Sequence, residues 1–289
     1  VSNRIDIAVP GRLRTRKYRR DLPASWQEVE EARRLPLLTA LLTSPDVYGQ
    51  VEALRRVLHL PREVFASIPD DTVVQLLDLC PWMDLQPNPR PCIDHFDHAG
   101  KRYYLPREYG INLVAIEYPL ADEALMKFMR TQDPKDLTML CAVLCREENP
   151  NADEARTRGD QRTPLRSRWE AEARAREMEH LSIDVALTVL LYFAGVKEFV
   201  HRSYGAVLFE KPDDTDDDNN TTTPDSTLGW WGIYFQVAAD GPFGDIDRLY
   251  QTPFHDVCIF LVDRIRQQKE QARAARLNNS QFGKQDPEP

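Results

Sequence analysis

Apolar positions recur along most of this chain at steps of three and four, the spacing that gathers side chains on one face of an α-helix. Residues 26–35 open the pattern behind Ser25 and Glu28. Their spacing matches a capping box, in which a hydroxyl and a carboxylate each take a free backbone N–H. Pro36 is expected to interrupt this helix before residues 37–43 resume it. Val47, Val51, Leu54, Val57 and Leu58 mark a second helix behind Asp46. Pro61 opens a short one, and Asp70 or Asp71 caps another that buries Val73, Val74, Leu76, Leu77 and Cys80. From Ala121 onward, Leu125, Phe128 and Met129 form one stripe, and Leu137, Leu140, Cys141, Leu144 and Cys145 form the next. Residues 166–180 mix Arg and Glu at helical spacing and run into the most apolar stretch of the chain. That stretch, about 182–201, is the expected central core helix. Residues 228–239 and a last helix from about Thr252 complete the series, the latter fading into charged 267–276.

The pattern breaks in four places. Prolines at 81, 87, 89, 91, 106 and 119 rule out a long helix between them. There Ile93, Phe96, Tyr103 and Leu105 flank Ala99-Gly100, a two-residue hairpin signal. Residues 146–164 are polar and carry Pro150, Gly159 and Pro164, which predicts a loop. Residues 211–228, with five Asp between 213 and 218, cannot bury a core. Residues 1–20 carry Arg12, Arg14, Arg16, Lys17, Arg19 and Arg20 with few apolar partners. The expected fold class is therefore mainly α: a multi-helix globular domain with a small β-hairpin insertion near residues 92–105. Its plan is a flexible basic arm (1–20), a helical domain with the hairpin (21–210), an acidic disordered loop (211–228), C-terminal helices packing on the same domain (229–277) and a disordered tail (278–289).

Composition narrows the function classes. The chain of 289 residues is 42% hydrophobic and 29% charged, which suits a folded globular protein. Residues 185–196, the longest apolar run, are too short to span a bilayer and are closed by Lys197 and Glu198. With no secretion signal in view, the cytoplasm is the expected compartment, and a membrane is not an expected partner. A net charge of −9 disfavours non-specific nucleic-acid binding by the chain as a whole and leaves the basic arm as the one candidate patch. Five scattered cysteines in apolar settings read as buried free thiols.

Little of this carries chemistry. Cys92, His95 and His98 are the sharpest metal-type cluster. On a strand, however, residues 92 and 98 share one face and 95 points to the other, so a plain hairpin strand outweighs a metal site. Cys141 and Cys145 lie on one helix face among leucines and read as core. The Asp-rich run lacks the central Gly and closing Glu of a calcium loop. No Gly-rich phosphate loop or nucleophile turn is present, and no cofactor or catalytic residue is assigned.

Three stretches together carry a family resemblance. They are Tyr-Arg-Arg-Asp-Leu-Pro-Ala-Ser-Trp at 18–26, Asp-Leu-Thr-Met-Leu-Cys-Ala-Val-Leu-Cys-Arg at 136–146 with the apolar helix through Phe193, and Gly-Trp-Trp-Gly at 229–232 followed by Ala238, Gly-Pro-Phe-Gly at 241–244 and Thr-Pro-Phe-His-Asp-Val at 252–257. In this order they resemble uncharacterised proteins from tail-gene clusters of phages and prophages in Bacteroidetes-type bacteria, and more loosely phage tail assembly chaperones. The Asp-rich run and the basic arm have no counterpart in that pattern. The resemblance implies a helical, non-enzymatic interaction protein that binds a tail component in the host cytoplasm. Candidate partner-binding residues are Trp26, Trp230, Trp231 and Phe243, because large aromatics dominate interface energetics, together with the basic arm. The alternatives are a metal-binding module or metal-dependent enzyme centred on Cys92, His95 and His98, or a nucleic-acid accessory protein using residues 12–20.

Overall fold

Several helices of this chain run through a proline or a glycine, Pro36 and Pro119 among them, because burial of their apolar faces outweighs the local breaker. The computed structural model describes residues 3–9, 15–44, 46–150, 160–208 and 229–282, with side chains from position 4 to position 275 of these. The fold is mainly α with small β insertions. Helices α1 (Glu31–Thr43), α2 (Val47–Val57), α3 (Arg62–Phe65) and α4 (Asp70–Asp78) form an N-terminal group. Helices α5 (Glu117–Thr131), α6 (Pro134–Leu144) and α7 (Arg168–Glu177) follow, and α8 (Ile183–Leu208) is the long central helix. The C-terminal group is α9 (Trp230–Ala239), α10 (Ile246–Tyr250) and α11 (Phe254–Phe282). Among the described residues, no helix is long and apolar enough to cross a membrane.

Helix α8 organises the body. Its Val189, Tyr192, Phe193, Val196 and Val200 are buried, and α1, α5, α6 and α11 all pack on it. Gly195 sits where the backbone of Asn88 and Pro89 crosses this helix, and Asn88 N–H donates to the Leu191 carbonyl at 3.2 Å. A Cβ at Gly195 would lie 2.2 Å from the Asn88 carbonyl carbon, so only glycine fits.

The hairpin near 92–105 forms as strands β3 (His95–His98) and β4 (Lys101–Tyr104). Ala99 and Gly100 both adopt positive φ, 50° and 77°, as the tightest two-residue hairpin turns require. Cys92 lies before the strand, and β4 ends at Tyr104, where β5 (Arg146–Glu147) adds a third strand.

Several sequence-based expectations are corrected. Pro36 does not break α1, which runs through it. It sits in the second turn, where it removes one backbone bond while Leu37, Leu38 and Leu41 on the same helix are buried. Ser25 makes no side-chain cap; residues 26–28 form a separate 3-10 turn, and Glu28 accepts from Ala24 N–H instead. Val74, expected on the buried side of α4, is exposed. The basic arm is also no arm over its described part. Strands β1 (Asn3–Val9) and β2 (Arg16–Leu22) pair antiparallel along seven residues each, with Ile7 opposite Tyr18 and Asp6 opposite Arg19. Ile7, Val9 and Leu22 are buried, so the alternation of Ile5, Ile7 and Val9 supplies the apolar face that the arginines obscured. Arg12 and Arg14 lie outside the described residues, as do the acidic run 211–228 and positions 283–289. Positions 278–282, expected in a disordered tail, continue α11.

Candidate functional site

The C-terminal helices are tied to the body by a short backbone seam. Phe254 N–H donates to the Leu113 carbonyl and Ala115 N–H to the Thr252 carbonyl, both at 2.8 Å. Behind this seam Tyr118 stacks on Phe254 with ring centres 4.0 Å apart, and Trp230 meets both rings edge-on. Tyr234 donates its hydroxyl to the Ala115 carbonyl at 2.8 Å, so a fully buried phenol keeps a partner. Between α9 and α10 the chain reverses through Gly241 and Gly244, at φ 77° and 89°. Asp245 then caps α10 by accepting from Arg248 N–H at 2.9 Å.

This reversal leaves Phe243 on a wall between two open recesses. One, of about 1080 Å³, lies between the Gly241–Gly244 turn and the 111–114 segment, with Arg146, Asp160 and Arg162 in its lining. The other, of about 660 Å³, is lined by Tyr204, Ile259 and Phe260 among others. Phe243 and Asp256 line both. Phe243 is half-buried and meets Phe260 edge-on at 5.2 Å. Ile111 and Ile259, 47% and 58% exposed, widen the apolar rim.

The inner wall of the larger recess is ionic. Glu117 is fully buried at the start of α5; its Oε1 lies 2.7 Å from the Arg146 guanidinium and 3.3 Å from that of Arg162. Glu117 Oε2 accepts from Val114 N–H at 2.8 Å. Asp160 takes Arg162 by three bonds, from Nε at 2.9 Å, from a terminal nitrogen at 3.0 Å and from the backbone N–H at 3.1 Å. Arg146 reaches Asp160 only at 3.4 Å, and its buried Nε has no acceptor. The two cations therefore differ. Burial and the charge of Arg162 push the Arg146 guanidinium down to about 10, against the pull of Glu117 and Asp160. For Arg162, burial is outweighed by Glu117 and Asp160, and the net shift is upward. For Asp160 burial acts upward, but the charge and hydrogen bonds of Arg162, aided by Arg146, hold it below its ordinary value. Both arginines stay charged at neutral pH. The cluster joins α5, β5 and the 160–163 segment, which fixes the recess wall rigidly.

The residues singled out from sequence scatter. Trp26 is 4% exposed and packs edge-on against Trp82 at 4.8 Å, which makes it core and not partner surface. Trp230 and Trp231 are half-buried against Tyr118, Tyr234 and Tyr250, and they serve mainly as packing behind the recess. Phe243, half-buried like Trp230 and Trp231, is the one of the four that lines these two recesses. His95 contacts Glu31 on α1 at 3.1 Å, whereas His98 bonds the Glu177 carbonyl of α7 at 3.2 Å, so the two rings are committed to different elements. Burial drives the Cys92 thiol up to about 12, far from thiolate character. Among the described residues, no three His, Cys, Asp or Glu side chains are placed to hold a metal ion. Cys141 and Cys145 are fully buried free thiols among α6 core residues.

Sequence reasoning missed the Glu117, Arg146, Asp160 and Arg162 cluster, because 146–164 reads as a polar loop. One signal was available: Arg146 follows directly on the apolar run ending at Leu144-Cys145, where the helix is still inside the core. No family model matches this chain, and no match is found among curated proteins or solved structures.

Proposed function

We propose that this chain is a non-enzymatic interaction protein of phage or prophage tail assembly, which holds a segment of a tail component in the recess around Gly241–Gly244. The observation that carries the reading is Phe243: an aromatic anchor on the wall between two open recesses, rimmed by the exposed side chains of Ile111 and Ile259. Aromatic anchors at the centre of a rimmed depression are the usual energetic focus of protein interfaces. The ionic wall of Glu117, Arg146, Asp160 and Arg162 supplies rigidity, so that little order has to be gained on binding. The resemblance of the 18–26, 136–146 and 229–257 stretches to tail-cluster proteins supplies the class of partner, and the work is done in the host cytoplasm.

The test is affinity purification of tagged protein from particle-producing cells, with mass spectrometry of what co-purifies. Tail-tube, tape-measure or baseplate protein is expected at near-stoichiometric yield. Phe243→Ala is expected to weaken the complex by about 2 kcal/mol, or about 30-fold. Recovery of the protein alone, or of the same tail protein at undiminished affinity with Phe243→Ala, overturns the reading.

A further inference from the structure

Among the described residues, no third strand pairs with either outer edge of the β1–β2 ladder, and neither strand makes a backbone hydrogen bond to any third element. A strand edge presents alternating N–H donors and C=O acceptors, a ready template for one more strand. On β2 that edge belongs to the most basic stretch of an acidic protein. Residues 1–22 hold seven Arg or Lys against two Asp, whereas the whole chain carries −9. Part of this charge is already engaged. Arg19 pairs with Asp6 at 2.9 Å across the ladder, and Arg20 donates to the Leu58 carbonyl at 2.9 Å. Arg16 and Lys17 are exposed.

We propose that the β2 edge accepts an extended acidic segment of a separate protein as a third antiparallel or parallel strand, with its carboxylates set beside Arg16 and Lys17. Opposite charges on neighbouring strands stabilise a sheet and like charges destabilise it. A second copy of this chain adding its own β2 would set these cations against each other, so charge selects a different chain. The run 213–218 of this protein has the right sign but consists of Asp and Thr behind a proline, and Asp and Pro are poor strand formers. Arg16 and Lys17 are successive residues and point to opposite faces of the sheet, so the fitting segment carries adjacent Glu or Asp pairs among β-branched residues. A nucleic acid fits the edge poorly. Its phosphates only accept hydrogen bonds, leaving the edge carbonyls unanswered. The aromatic on this strand, Tyr18, is half-buried on the face it shares with buried Leu22 beneath the Arg20 guanidinium, where no base can stack on it. This surface is separate from the recess around Phe243, and the inference stands without it.

The experiment titrates full-length protein into labelled, acetylated Val-Glu-Glu-Val-Glu-Glu-Val, which carries carboxylates on both strand faces, and follows fluorescence anisotropy. The decisive control is the same peptide N-methylated at every residue, which keeps every charge and removes the main-chain donors from both of its edges. Saturable binding is expected, weakened about tenfold or more by N-methylation, by Arg16→Glu/Lys17→Glu and by raised salt. Both substituted side chains are exposed, and circular dichroism verifies that the variant is folded. Equal binding of the N-methylated peptide overturns strand addition in favour of plain charge attraction. Tighter binding of a single-stranded oligonucleotide, or of a peptide copying residues 211–220, overturns the choice of occupant. Failure to bind the probe overturns the proposal outright. None of these results depends on Phe243, so they leave the assembly reading to its own test.

Discussion

Replacing Glu117 with Gln removes one negative charge from a fully buried position while preserving shape. The amide oxygen can still accept from Val114 N–H, which Glu117 Oε2 meets at 2.8 Å, so the local fold of α5 is kept. What is lost is the counter-charge for Arg146 and Arg162, both 2% exposed or less, which would face Asp160 alone. Breaking a buried ion pair from one side costs about 3–5 kcal/mol, because the abandoned charge stays desolvated. Against a total stability of about 5–15 kcal/mol this is a large fraction. At about 2–4 °C per kcal/mol for a chain of this order, the midpoint should fall by about 6–20 °C. Urea unfolding followed by far-ultraviolet circular dichroism measures it, provided the midpoint shifts without a change in slope. The geometry adds a sharper expectation. Arg146 is the less well satisfied cation, with its Nε unpartnered and its pKa pulled down to about 10. Removing it together with Glu117 leaves the well-bonded Arg162 and Asp160 as a neutral pair. Glu117→Gln/Arg146→Met should therefore be more stable than the sum of the single changes by about 1–3 kcal/mol. A single-variant loss below about 1 kcal/mol, or strict additivity in the double variant, would refute the argument that these charges balance one another.

Three further expectations follow from the packing. Gly195→Ala should destabilise by about 1–3 kcal/mol or more, read as a lower urea midpoint, because the added carbon meets the backbone of Asn88 and Pro89 and no flexible side chain can yield. Trp26→Ala should cost about 3–5 kcal/mol of folding stability, whereas Phe243→Ala should leave the thermal midpoint nearly unchanged; the reverse order would return Trp26 to the partner surface. Neutral His255 donates from Nε2 to the Tyr109 carbonyl at 3.0 Å and accepts at Nδ1 from the Tyr204 hydroxyl at 3.0 Å. Burial holds its pKa below the ordinary value, against the Tyr109 bond and Asp256. A depressed histidine contributes stability in full above about pH 6.5 and loses it as pH falls through the folded-state value. Thermal midpoints across that window should fall more steeply for the natural protein than for His255→Gln, and parallel curves would remove His255 as a cause.

How far the sequence shows this structure depends on which interactions are local. The β3–β4 turn is readable because Gly100 supplies one of the two positive φ angles without steric cost, while Ala99, at φ 50°, adopts the other against its own Cβ because the flanking strands pair. Helix α8 is readable for a similar reason, since an apolar stripe at helical spacing needs no knowledge of its neighbours. The β1–β2 ladder was hidden by weighting: seven basic residues among positions 1–22 suggest solvation, yet Ile5, Ile7 and Val9 alternate at the strand period, and that alternation decides the fold. The recess divides along the same line. Phe243 stands out because a large apolar side chain between two glycines and a proline has no helix or strand of its own to bury it. Glu117, Arg146, Asp160 and Arg162 do not stand out, because a charged residue reads as solvated until its partner is known, and here the partners are 29 and 45 positions from Glu117. Their cost of burial is recovered only after α5, β5 and the 160–163 segment have met. Such a cluster is therefore a product of the tertiary fold and a condition of it at once, which is why a single substitution at Glu117 is expected to reach the recess wall as a whole.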